Sequence, residues 1–306
     1  LKLKIPHNFG GLPPELSNYK DSQIVILPIP FDKTSTWIKG SSKAPDAIIE
    51  ASKNMELYDI ETDSEVYKKG IYTAKSITVS NAKEMIDKVY RRVKNLLNDK
   101  KFVVTLGGEH TVSLGPIKAH AEFFNDLSIL HLDAHSDMRD SYEGDSLSHA
   151  CVMARVKEIL ELKKERIISV GIRSMDSSEL KNIDKQRIFY AEEIYQSRHG
   201  SSQRKNWIKK VLQRFSQNVY ITIDLDVFDP SIMPSVGTPE PGGLCWYQVI
   251  ELLRYVSENK NIAGFDIVEL CPSHNKAPDF LAAKLIYKLL SYKFASLDPQ
   301  IVSIYS

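Results

Sequence analysis

The chain has no surplus charge of either sign. Forty lysines and arginines stand against 39 aspartates and glutamates, a formal net charge of +1 over 306 residues. Nucleic acids and anionic membranes are recognised through a basic excess or a concentrated basic stripe, so neither partner is expected. Cysteine is scarce too. Cys151, Cys245 and Cys271 lie far apart and form no C-x-x-C pair, which argues against a disulfide framework and for reduced thiols. No apolar run reaches the ~18–20 residues of a membrane span. The N-terminal stretch, which begins at Leu1, shows no secretory-signal pattern, and a cytoplasmic protein is expected. No Pro/Gly/Ser-rich linker, internal repeat or low-complexity tract divides the chain, so residues 1–306 read as one domain.

What is present is ordinary globular composition, 42% hydrophobic and 26% charged. Short runs rich in Ile, Val and Leu predict strands at Ile24–Leu27, Phe102–Leu106, Ser128–Leu132, Ile167–Val170, Val219–Ile223 and Ile262–Val268, with weaker signals at Arg187–Tyr190 and Ile301–Ile304. Between them, helical periodicity marks Ala44–Ser52, Asn81–Leu97, Thr111–Phe124, Ala154–Leu162, Trp207–Phe215, Tyr247–Ser257 and Asp279–Leu290. Largely apolar strands separated by helices imply a three-layer α/β/α fold with a central, mainly parallel sheet covered on both faces. The first residues, with Pro6, Gly10, Gly11, Pro13 and Pro14, read as irregular chain over the surface.

Three of the apolar runs end in acids or imidazoles. Phe102–Leu106 continues into Gly107-Gly108-Glu109-His110, Ser128–Leu132 into Asp133-Ala134-His135-Ser136-Asp137, and Val219–Ile223 into Asp224-Leu225-Asp226. In an open parallel sheet the C-terminal edge is where ligands bind. Residues two apart on extended chain share a side, so each segment can aim its polar groups into one cleft. Four carboxylates brought that close repel one another, which raises their pKa values and calls for a compensating cation. A lone strand-end Asp usually caps a helix or a turn; three such sets on one edge are harder to explain that way. With imidazoles present and no thiolate, the donors form a hard, oxygen-rich set that suits manganese(II) best, with zinc, cobalt and iron as alternatives. His131 is read as a core histidine that could reach Asp133, two residues on. Gly107-Gly108 lacks the spacing of a dinucleotide fingerprint and reads as a tight turn.

Taken together, GGEH (Gly107 to His110), DAHSD (Asp133 to Asp137), SH (Ser148-His149), DLDVFDP (Asp224 to Pro230), GTPEPGG (Gly237 to Gly243) and FDIVEL ending near Glu269 resemble the ureohydrolase family of arginases and agmatinases. The stretch from Pro28 to Ser52 is similar to the family's opening strand, loop and helix. The resemblance spans nearly the whole chain in the expected order. It implies an arginase/deacetylase-like fold and two Mn2+ per subunit. Asp133 and Asp224 would bridge both metals, His110 and Asp137 would complete one site, and His135 and Asp226 the other. It further implies that a hydroxide bridging the metals attacks the substrate's guanidinium carbon and that Glu269 holds that guanidinium. Asp137 would pass a proton to the leaving amine, and His149 would shuttle protons to solvent and touch substrate. A trimer or hexamer is implied by the same resemblance.

Within the family, the R-D-x-Y-x-G…S-H pattern from Arg139 to His149 is similar to agmatinases, which hydrolyse agmatine to putrescine and urea. Asp140, Glu143 and Asp145 in that loop are compatible with a dicationic substrate. Where family members commonly carry glycine after the histidine, this chain has Ala150 and Cys151. The alternatives are arginase, guanidinobutyrase or formiminoglutamase and, from other classes, a single-zinc deacetylase-like enzyme or an inactive binding protein on the same fold.

Overall fold

The computed structural model describes residues 5–160, 166–197 and 206–295. Eight strands form one sheet: β1 Ile24–Pro28, β2 Ile71–Thr73, β3 Phe102–Leu106, β4 Leu127–Leu132, β5 Ile167–Ile172, β6 Ile188–Tyr190, β7 Asn218–Asp224 and β8 Asn261–Val268. Their order across the sheet is β2-β1-β3-β8-β7-β4-β5-β6, and every pairing is parallel. The expected sheet is therefore found, and it is wholly rather than mainly parallel. Three-residue β2 was not foreseen, because Ile71–Thr73 is too short to stand out from the loops around it. The weak candidate at Ile301–Ile304 lies outside the described residues.

Strand alternation separates two helical layers; the helices are numbered in chain order, with α1 at Pro14–Ser17, α6 at Ala191–Gln196 and α7 at Asn206–Leu212. Ile24 and Ile26 of β1 face one layer, which contains helices α2 (Ala44–Ser52), α8 (Trp246–Asn259) and α9 (Ala277–Ala295). Val25 and Leu27 face the other, with α3 (Ala82–Asn98), and α4 (Leu114–Phe123) and α5 (Val152–Ile159) continue that layer along the sheet. Alternate side chains of an extended chain point to opposite faces, so uninterrupted apolar runs are what a sheet covered on both sides requires. Helix α3 starts where Asn81 accepts the backbone N–H of Glu84 at 2.9 Å, an N-cap. The helix expected from Thr111 instead opens with a 3-10 turn, His110–Ser113, before α4. The N-terminal stretch is less superficial than expected: Phe9 is wholly buried.

The central four strands, β3, β8, β7 and β4, are contiguous although far apart in sequence. Their C-terminal ends therefore deliver four loops to one place, where the strand order reverses and an α/β sheet opens a crevice.

Candidate metal centre and active site

All six predicted ligands meet at that crevice. His110 follows β3; Asp133, His135 and Asp137 follow β4; Asp224 ends β7 and Asp226 follows it. Two groups of donors converge, His110, His131, Asp133 and Asp137 in one and Asp133, His135 and Asp226 in the other, so Asp133 belongs to both. His110 Nδ1 lies 2.9 Å from Asp137 Oδ2, 3.2 Å from Asp133 Oδ2 and 3.5 Å from Asp224 Oδ2. His135 Nδ1 lies 2.8 Å from Asp226 Oδ2 and 3.6 Å from the other oxygen of Asp133. The two Asp133 oxygens thus face two different histidines.

Whether these residues suit a metal turns on His110. Its Nδ1 is buried and makes no contact with hydrogen-bond geometry, despite three carboxylate oxygens around it. On the far side, Nε2 lies 3.0 Å from Thr222 Oγ1, and that hydroxyl donates to buried Asp266 at 2.7 Å. A hydroxyl has one proton, so Thr222 must accept from Nε2–H. Burial opposes charge on the ring, but Asp133 and Asp137 hold its pKa well above the ordinary value. Nδ1, turned toward the carboxylates, offers its lone pair once a cation takes the place of that proton, as a metal ligand must. The donors fit divalent cations.

Electrostatics point the same way. Burial raises Asp224 well above the ordinary carboxylate range, and the charges of Asp226, Asp133 and Glu269 add to it. Asp226 is raised by burial and by Asp133. Asp133 departs from the upward shift expected of the cluster: burial pushes it up, but His131, His110 and His135 together hold it well below the usual range. Burial opposes charge on His135, yet Asp226 and Asp133 push it up to about 12. Imidazoles in such company keep their protons unless another cation takes their place, so metal binding here releases protons. His131 is wholly buried; its Nε2 lies 2.8 Å from Asp133 Oδ2 and its Nδ1 3.0 Å from Ser169 Oγ, which fixes how Asp133 points.

Glu269 and His149 line the same cavity, of about 280 Å³, as His110, His135, Asp137, Asp224 and Asp226. Glu269 Oε1 accepts the backbone N–H of His110 at 2.7 Å. Burial, followed by the charge of Glu109, raises its pKa well above the ordinary value. Asp137 and Glu269 adopt left-handed backbone, φ 53° and 65°, which costs non-glycine residues energy. His149 is half-buried, with Nδ1 3.1 Å from Thr34 Oγ1 and its backbone N–H donating to the same oxygen at 2.9 Å. The acidic loop behaves otherwise than expected. Arg139 and Tyr142 reach the cavity wall, but Asp140, Glu143 and Asp145 do not. Asp140 pairs with Lys181 at 2.7 Å instead, and Asp145 caps Leu147 N–H at 2.8 Å.

The family model described as the arginase family matches residues 22–291. The chain belongs to the arginase family. It is 36% identical over 288 residues to the N(1)-aminopropylagmatine ureohydrolase of Synechocystis sp., covering 90% of this chain and 91% of that one. The agmatinase of Bacillus cereus is 33% identical, covering 89% and 92%. Among solved structures, the agmatine ureohydrolase of Thermoplasma volcanium superposes with a TM-score of 0.83 at 33% identity, covering 93% of this chain and 94% of that one. The chain is thus an arginase-family ureohydrolase, an enzyme of guanidino C–N bonds.

Three supporting residues of this ureohydrolase were not foreseen. Glu109, wholly buried, accepts the backbone N–H groups of Lys33 and Thr34, each at 2.6 Å, and the Thr34 hydroxyl at 2.9 Å. Asp266 orients His110 through Thr222, its neighbour across the β7–β8 register; a charged residue inside an apolar strand was the available signal. Arg173 donates to backbone oxygens of Gly171, Asp226 and Glu240 at 3.1, 2.6 and 2.8 Å, clamping the Asp226 loop to the GTPEPGG loop.

Proposed function

We propose that the chain is a manganese-dependent enzyme that hydrolyses the guanidine of a linear amine, agmatine foremost, to putrescine and urea. The observation that carries this reading is a pair of donor groups sharing Asp133, of which His110, Asp137, His135 and Asp226 line the cavity that Glu269 also lines. His110 and Asp137 would hold one cation and His135 and Asp226 the other, with Asp133 and Asp224 between them. The oxygen-rich set without thiolate supports manganese. When bound, the two cations supply water activated at neutral pH and stabilise charge at the reacting carbon.

The remaining steps belong to the side chains. Glu269 holds the guanidinium, whose planar N–H groups match a carboxylate. Its raised pKa falls back when that cation arrives, because an opposite charge nearby favours the ionised form. Asp137 passes a proton to the leaving amine, and His149 exchanges it with solvent, a task suited to an imidazole. Both line the cavity, which supports these roles. The small cavity supports a slender substrate. The similarity to an N(1)-aminopropylagmatine ureohydrolase favours a second reading, in which the same guanidine carries a longer amine tail. Self-association as a trimer or hexamer belongs to the proposal, with light scattering as its check.

The test is urea release by manganese-loaded protein from agmatine, N(1)-aminopropylagmatine, arginine, guanidinobutyrate and formiminoglutamate in parallel. One of the first two should win by a wide margin. Arginine or an acidic guanidine winning would refute the substrate assignment, and a single tightly bound zinc with no urea from any compound would refute the activity.

A further inference from the structure

Trp37 is 76% exposed and Ile38, beside it, 41%. Both line the wall of the cavity that holds the carboxylate cluster. A tryptophan this exposed is unusual for a large side chain that is highly buried on average. The segment carrying it is held in place at both ends. Glu109 binds Lys33 and Thr34 at one end, Asp32 Oδ2 accepts Gly40 N–H at 2.7 Å at the other, and Cys271 Sγ contacts Ile38 O at 3.7 Å. Thr34 is the residue that also touches His149. The backbone that carries the indole is therefore anchored beside the reacting groups.

A cationic amine tail leaving the cluster needs a partner on this wall. Among the described residues lining the cavity, the carboxylates away from the cluster already have cationic or backbone partners. Asp176 faces Arg139 at 3.8 Å and caps Ser178 N–H at 2.9 Å. Glu179 accepts Met138 N–H at 3.0 Å and Asp176 N–H at 2.6 Å. Arg139 itself stacks over Tyr142, 4.8 Å from the ring centroid. Among the described residues of this wall, the Trp37 indole is an aromatic face for which no such contact is found. Its π cloud attracts an ammonium within about 6 Å of the ring centre, and the effect grows as water is excluded.

Resting on the proposed activity, we propose that Trp37 determines specificity for the far end of the substrate, its indole receiving the tail ammonium by a cation–π contact. A neutral tail gains nothing from this contact beyond its area, and a carboxylate-bearing tail meets the repulsive face of the same ring.

The experiment compares manganese-loaded wild type with Trp37→Ala and Trp37→Phe on agmatine and on butylguanidine, which keeps the guanidine and chain but lacks the amine. Trp37→Ala should raise KM for agmatine about five- to thirtyfold, the equivalent of a partly desolvated cation–π contact. Its kcat should hardly change, and KM for butylguanidine should stay within about twofold. Trp37→Phe should fall between the two. An equal KM change for both guanidines makes Trp37 a wall rather than an amine receptor and overturns this inference alone. So does a change of oligomeric mass in Trp37→Ala, which would assign the indole to a subunit contact. No urea from wild type with either compound overturns the activity and this inference with it.

Discussion

His120 gives the fold a calculable acid sensitivity. It lies in α4 with no exposed surface, its Nδ1 2.7 Å from Pro116 O and its ring 4.7 Å from that of Tyr220. Its Nε2 is buried without a hydrogen bond, over a glycine, Gly264, whose added Cβ would sit 2.4 Å away. Burial pushes its pKa down to about 4 from an ordinary 6.5. Above 6.5 the imidazole is neutral in both the folded and the unfolded chain, so it adds no pH dependence. As pH falls from 6.5 toward 4, the unfolded chain takes a proton that the folded chain refuses, and stability drops. The full gap, at about 1.4 kcal/mol per pKa unit, is worth about 3 kcal/mol. His120→Asn keeps a donor near Pro116 O but does not titrate. Urea denaturation of both proteins between pH 7.5 and 4.5 should show curves that diverge only below 6.5, the wild type losing up to about 1.4 kcal/mol more per pH unit. Loss of metal in acid affects both proteins and cancels. Parallel curves, or a His120 resonance titrating near 6.5 in the folded protein, would refute the reasoning.

Glu269→Gln should keep the bond from His110 N–H, so the fold and metal content persist while kcat/KM falls by about 2–4 kcal/mol of transition-state binding, read from urea release. Lys288→Met should cost about 3–5 kcal/mol in denaturant titration at pH 7. That substitution leaves buried Asp59, 3.0 Å from Lys288 Nζ through both oxygens, without its cation. Gly108→Ala should abolish urea release and lower Tm sharply, because its Cβ would lie 1.9 Å from Phe31 O; a normal melting curve would contradict it.

That glycine also shows where the sequence was legible and where it was not. Gly107 and Gly108 read as a tight turn, yet neither has positive φ; they are small because Val268 and the Phe31 backbone pass close by. Such proximity comes from strands distant in the chain and leaves no local trace. Five of the six converging residues were legible because period-two spacing after apolar runs is itself local, and His110 because it follows such a run; the sheet order then brought β3, β8, β7 and β4 together. Glu269 and His149 came from the resemblance alone. Asp140, Glu143 and Asp145 misled because charge in a loop says nothing of direction: their turn points to Lys181 and to solvent, while Arg139 and Tyr142 of the same loop face the cavity. Trp37 had no motif to mark it.

The central claim is that two divalent cations at the Asp133-centred cluster drive hydrolysis of a guanidine. Its most direct test is to strip the protein with chelator and add Mn2+ stepwise, following urea release from agmatine and bound metal per chain together. Activity should be absent in the stripped protein and rise to saturation at two equivalents, with Asp133→Asn binding neither. Urea release by the stripped protein, or full activity at one equivalent, would contradict the account.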